Sequence, residues 1–90
     1  MPYIKPEERK RFKNLFGEAM LLLKDVPEDK VDGYLNYLIT GLLILRYTQP
    51  ESYYNYNRAM GLLESVKQEF YRRRVAPYED GKIKENGDVY

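Results

Sequence analysis

Three segments of the chain repeat apolar residues at intervals of three and four positions, the spacing of one face of an α-helix. The segments cover about residues 6–24, 28–47 and 51–74, with Pro27 and Pro50 in the short connections between them. The pattern predicts an all-α fold, and short connections favour an up-down-up three-helix bundle. A chain of 90 residues supports one hydrophobic core, so residues 1–90 are predicted to form a single domain.

The second segment has an apolar face wider than a half-exposed helix needs, so it is predicted to be the central helix or part of an oligomer interface. Its apolar residues are Val31, Tyr34, Leu35, Leu38, Ile39, Leu42, Leu43 and Leu45. Gly33 and Gly41 each cost about 1 kcal/mol inside a helix, so they predict close approach of a neighbouring backbone. Asn36 and Thr40 stand one turn apart beside them and suggest a small polar contact.

The last sixteen residues lose the helical periodicity. Pro77 predicts that the third helix ends near residue 74 and leaves residues 75–90 as a C-terminal extension. The dipeptide Asn86-Gly87 is typical of a type I′ turn, so a small β-hairpin over 82–90 is one expectation, with residues 2–4 as a third strand.

Four stretches of the sequence carry a resemblance to a known family. They are the C-terminal run YRRRVAPYEDGKIKENGDVY at 71–90, the opening MPYIK at 1–5, and the helical stretches at 33–40 and 61–69. Together they resemble a family of short prokaryotic and phage proteins of unknown function. The resemblance implies that the N-terminal arm and the C-terminal extension are ordered. It implies no activity and lends no catalytic residue or cofactor.

The absence of two residue types restricts the chemistry. The chain has no cysteine and no histidine, which excludes disulfides, thiolate zinc sites, cysteine nucleophiles and histidine bases. The acids Glu64, Glu69, Glu79 and Asp80 are candidates for the magnesium ligands of a helical nucleotide hydrolase. Glu64 and Glu69 are five residues apart, whereas that chemistry favours i, i+3 or i, i+4 pairs. We therefore expect no catalytic residue, no metal and no cofactor.

Charge and hydropathy limit the partners. The net charge is +1, which gives no overall attraction to nucleic acid or anionic lipid. No apolar run is long enough to span a membrane, so a cytoplasmic protein is expected, and the composition leans towards a thermophilic source. Two local basic clusters are candidates for polyanion contact, although solvated helix faces explain them better. Their residues are Arg9, Arg11, Lys67, Arg72, Arg73 and Arg74.

Self-association is the favoured function, as a small structural or interaction protein forming a homodimer through its second and third helices. The predicted interface residues are Tyr34, Leu38, Leu42, Leu45, Tyr53 and Tyr56. A nucleic-acid-associated accessory protein using the basic clusters is the first alternative, and a metal-dependent nucleotide hydrolase is the second.

Overall fold

A computed structural model of the protein describes residues 2–90, and all of its regular elements are helical. They are α1 (Pro6–Arg9), a 3₁₀ turn (Lys10–Phe12), α2 (Lys13–Leu23), α3 (Glu28–Tyr47), α4 (Tyr53–Phe70), a π turn (Tyr71–Val75) and α5 (Ala76–Asn86). These elements form three continuous helical stretches, so the predicted all-α class is confirmed. Within residues 2–90, no helix combines the length and apolar character that crossing a bilayer requires.

The chain divides into two compact units, of which the first ends at Pro50. Its first helix starts with Pro6, which suits a position whose N–H has no helical partner, and Glu7 and Glu8 place negative charge beside the free N–H groups. The arm before this helix contacts Arg9, whose Nε donates to the carbonyl of Ile4 at 3.0 Å.

Helix α3 occupies Glu28–Tyr47, where the sequence predicted a helix over 28–47. Glu28 and Asp29 occupy its first turn and Arg46 its last, and both placements complement the helix dipole. At its C-terminal end, the Thr48 hydroxyl donates to the carbonyl of Ile44 at 2.7 Å. Local charge and a terminal hydroxyl therefore set both ends of this helix.

The second unit begins at Glu51 and contains α4, the π turn and α5. Ser52 is the N-cap of α4, because its hydroxyl accepts the N–H of Asn55 at 3.1 Å. In this unit Ala59 is buried, with 8% of its surface exposed.

The third helix does not end before Pro77, contrary to the sequence prediction. Proline lacks an N–H and its ring collides with the carbonyl four residues earlier, here that of Arg73. The π turn over Tyr71–Val75 widens the helix there, and the N–H of Ala76 donates to the carbonyl of Tyr71, five residues earlier. Helix α5 then starts with Pro77 in its first turn, where no N–H is needed.

The predicted hairpin over 82–90 is wrong, because residues up to Asn86 belong to α5, and none of residues 2–90 forms a strand. Gly87 ends the helix with φ at 82°, and its N–H donates to the carbonyl of Ile83 at 2.8 Å. This is a helix C-cap, which uses the left-handed freedom of glycine as a type I′ turn would. Residues 2–4 have no regular secondary structure and pair with no strand.

Candidate functional site: an apolar groove on α3

An open groove of about 760 Å³ runs along α3 in the first unit. Leu22 of α2 contributes to its wall, and all the other lining residues come from α3. Those residues are Gly33, Tyr34, Tyr37, Leu38, Gly41, Leu42 and Leu45. All four predicted interface residues on this helix, Tyr34, Leu38, Leu42 and Leu45, therefore line the groove.

The less exposed apolar residues of α3 form a stripe that runs beside the groove. Val31, Leu35, Leu43 and Tyr47 are half-buried and are separated by multiples of four residues. The groove residues Tyr34, Leu38, Gly41 and Leu45 follow a 4-3-4 spacing that keeps them in a single line on the helix. The groove and this stripe together form the wide apolar face that the sequence predicted for α3.

Large apolar side chains in the groove are strongly exposed. Tyr37 has 84% of its surface exposed and Leu45 has 75%, while Leu42 has 53%. Scattered exposed leucines are ordinary, but a contiguous set of this size usually marks an interaction surface.

The two glycines of α3 lie in the groove with open space above them. A Cβ atom added at Gly33 or Gly41 would meet nothing within 4 Å. The close approach of a neighbouring backbone that these glycines predicted is therefore not found within the chain. The polar contact predicted beside them is confirmed, since the Thr40 hydroxyl donates to Oδ1 of Asn36 at 3.1 Å.

The two remaining predicted interface residues belong to the second unit. Tyr53 has 87% of its surface exposed at the start of α4. Tyr56, one turn later, is exposed and interacts with Glu51, and this hydrogen bond to a carboxylate raises the pKa of Tyr56. Neither residue lines the α3 groove.

Most of the predicted basic residues have polar contacts within the chain. Lys67 pairs with Glu64 at 3.7 Å, and Arg72 and Arg73 both contact the Glu69 carboxylate. Arg9 donates to the backbone of the arm. Arg74 lies in the π turn and Arg11 in the 3₁₀ turn, both exposed. The positive charge of the Lys67–Arg73 region is therefore partly offset by two acids of the same helix.

The acids considered as metal ligands have other partners. Glu64 also accepts a hydrogen bond from Gln68 at 3.1 Å, and Glu79 accepts one from the Tyr71 hydroxyl at 2.8 Å. The bond to Glu79 raises the pKa of Tyr71, because losing the phenol proton would place two negative charges together. Across residues 2–90, no group of three or more potential ligands is arranged to hold a metal ion.

Sequence reasoning missed Tyr37 and Leu22 as groove residues. Tyr37 stands four residues from both Gly33 and Gly41, so the spacing that placed the glycines on one face also placed this tyrosine there. Leu22 belonged to the apolar stripe of the first helix, and only the folded unit shows that it lies beside α3.

A family described as a domain of unknown function (DUF6899) matches residues 1–89. Searches of curated proteins and of solved structures find no match.

Proposed function

Because the chain belongs to the family described as a domain of unknown function (DUF6899), we propose its function from its own surface: it is a small structural or interaction protein that acts as a homodimer. The dimer forms through the apolar groove of α3, in the cytoplasm, and the protein has no catalytic role. The observation that carries the proposal is the contiguous exposure of the groove side chains.

The size of the groove suits a dimer interface. The exposed parts of the two tyrosine and three leucine side chains that α3 contributes to the groove amount to roughly 600 Å² per copy, if one large side chain presents on the order of 200 Å² when fully exposed. Two copies would together bury about 1,200 Å², which is the lower end of the range for specific interfaces. A twofold axis lets the same patch serve both copies, so no other partner is needed to cover it.

The driving force is the removal of apolar surface from water. At about 25 cal/mol per Å², burying this surface lowers the free energy by more than the typical free-energy cost of lost translational and rotational freedom. The residues that line the groove are uncharged, so added salt should change the association only slightly.

The two alternatives have less support from the surface. Polyanion binding through Lys67, Arg72 and Arg73 competes with their contacts to Glu64 and Glu69. The nucleotide hydrolase needs carboxylates that converge on a metal, whereas Glu79 is engaged by Tyr71.

Sedimentation velocity over a hundredfold concentration range, at low and high salt, tests the proposal. We expect a dimer for the unaltered chain at both salt concentrations. The variant Leu45→Glu places a charge in the groove, where dimerisation would desolvate it, and should be monomeric throughout the range. Because Leu45 is 75% exposed in the single chain, this change should leave the helical content intact.

The matched control is Leu21→Glu, which places the same charge on α2 outside the groove at a residue with 67% of its surface exposed. This control should remain dimeric. A monomeric unaltered chain, or equal weakening by both substitutions, would contradict the proposal. A parallel titration with DNA at low salt separates the nucleic-acid alternative, which predicts binding that falls steeply with added salt.

A further inference from the structure

We infer that the two copies pair antiparallel along α3, with Leu38 of each copy seated over Gly41 of the other. This inference rests on the proposed function and adds the orientation and register of the interface. The groove of each copy is then filled by side chains from the α3 helix of the other copy.

The line of residues Tyr34, Leu38, Gly41 and Leu45 sets the register. Its 4-3-4 spacing is that of the a and d positions of a coiled coil. In an antiparallel pair centred between residues 39 and 40, Leu38 faces Gly41 of the second copy and Tyr34 faces Leu45. Every residue of the line then has an apolar partner from the same line.

The glycine distinguishes this orientation from the parallel one. In a parallel pair each residue faces its own equivalent, so two Gly41 residues would meet and leave a void between leucine layers. In the antiparallel pair the Leu38 side chain fills the space above Gly41, where an added Cβ would meet no atom of residues 2–90 within 4 Å apart from the surrounding helix backbone. The antiparallel register therefore pairs a large side chain with a small one in two symmetric layers.

The charges at the helix ends favour the same orientation. Helix α3 starts with Glu28 and Asp29 and has Arg46 in its last turn. An antiparallel pair brings Arg46 of one copy to the same end as these acids of the other, and it also opposes the two helix dipoles. A parallel pair would place the four acids together.

Distance measurement between two spin labels tests the orientation. The chain has no cysteine, so Lys30→Cys gives one labelling site, on an exposed residue of α3 one turn before Tyr34 that does not line the groove. In the antiparallel register the two labels are separated by about 30 Å along the helices, at 1.5 Å per residue. In a parallel pair they lie about 10 Å apart, the distance between packed helix axes.

A distance near 30 Å is expected from pulsed electron resonance of the labelled dimer. A dimer with strongly broadened spectra from labels near 10 Å would overturn the antiparallel register and leave the proposed dimer standing. If the labelled chain and the unaltered chain both sediment as monomers, the proposed function itself is overturned.

The variant Gly41→Ala tests the seat of Leu38. Alanine improves helix propensity and meets no atom within the chain, so the folded monomer should keep or gain helix. The added methyl group occupies the space that the Leu38 side chain of the second copy would fill, so we expect the dissociation constant of the dimer to rise at least tenfold. Gly81→Ala, at an equally open glycine of α5, is the control and should leave it unchanged. Unchanged dimerisation of Gly41→Ala would overturn the register.

Discussion

Two tyrosines of the second unit interact with carboxylates, and one of these contacts spans the π turn. The Tyr71 hydroxyl donates to the Glu79 carboxylate at 2.8 Å. Residues eight positions apart do not face each other in a regular α-helix, but the wider π turn between Tyr71 and Glu79 rotates the two side chains onto the same face. The hydrogen bond favours the protonated phenol, and so raises the pKa of Tyr71 above 10.0.

We predict that Glu79→Gln lowers the pKa of Tyr71 towards its ordinary value, because the hydrogen bond to a carboxylate and its charge are both removed. Since the folded-state pKa is raised, the contribution of this pair to stability is present below pH 10 and is lost as the pH rises through the folded pKa. Tyrosine ring-carbon NMR shifts followed from pH 8 to 12 measure the change.

Glu85→Gln is the control for that titration, because Glu85 pairs with Lys82 at 3.2 Å on the same helix and does not contact Tyr71. It should leave the Tyr71 titration in place. If Glu79→Gln and Glu85→Gln gave the same Tyr71 curve as the unaltered chain, the contact across the π turn would not exist in solution.

Among the elements, the junction between α4 and α5 depends on one proline. Pro77 cannot donate to the carbonyl of Arg73, and the helix accommodates it by the five-residue bond from Ala76 to Tyr71. A widened turn is therefore the local response to a residue that would otherwise end the helix.

We predict that Pro77→Ala converts the π turn into regular α-helix, since the restored N–H can reach the carbonyl of Arg73. The free energy of unfolding should rise by at most about 3 kcal/mol, the cost of proline in a helix interior, because the π turn already relieves part of that cost. Chemical denaturation measures the free energy of unfolding. The pKa of Tyr71 should also fall, because in a regular helix Tyr71 and Glu79 no longer lie on the same face and their hydrogen bond is lost.

Pro6→Ala is the matched control, because Pro6 already occupies the first turn of α1, where its missing N–H has no helical partner. This change should alter stability little. A Pro77→Ala variant that kept the bond from Ala76 to Tyr71, seen in backbone NMR shifts, would show that another residue causes the π turn.

The whole molecule has little buried surface for its apolar content. Among residues 2–90 Ala59 alone is buried, while α3 exposes Tyr37, Leu42 and Leu45 on its groove side. Small domains with limited cores commonly gain stability from association, and the proposed dimer would supply it.

We predict that the thermal midpoint falls by several degrees on hundredfold dilution, because unfolding of a dimer is linked to dissociation by mass action. Calorimetry or circular dichroism at a series of concentrations measures it. Leu45→Glu, expected to be monomeric, should have a midpoint independent of concentration, and a concentration-independent midpoint for the unaltered chain would contradict a dimer.

The sequence by itself determined the helical class, the bounds of α3 and the excess apolar face of that helix. These features depend on local periodicity, capping and end charges, which act within a few residues. The absence of cysteine and histidine likewise fixed which chemistries the chain lacks.

Only the tertiary structure decided whether the helix continues past Pro77, what Asn86-Gly87 does and what surrounds the α3 glycines. A proline can end a helix or be absorbed by a π turn, and a glycine with positive φ suits a hairpin turn and a helix C-cap equally. The choice depends on whether the preceding residues remain helical. The space above Gly41 depends on what packs there, which local sequence patterns do not encode.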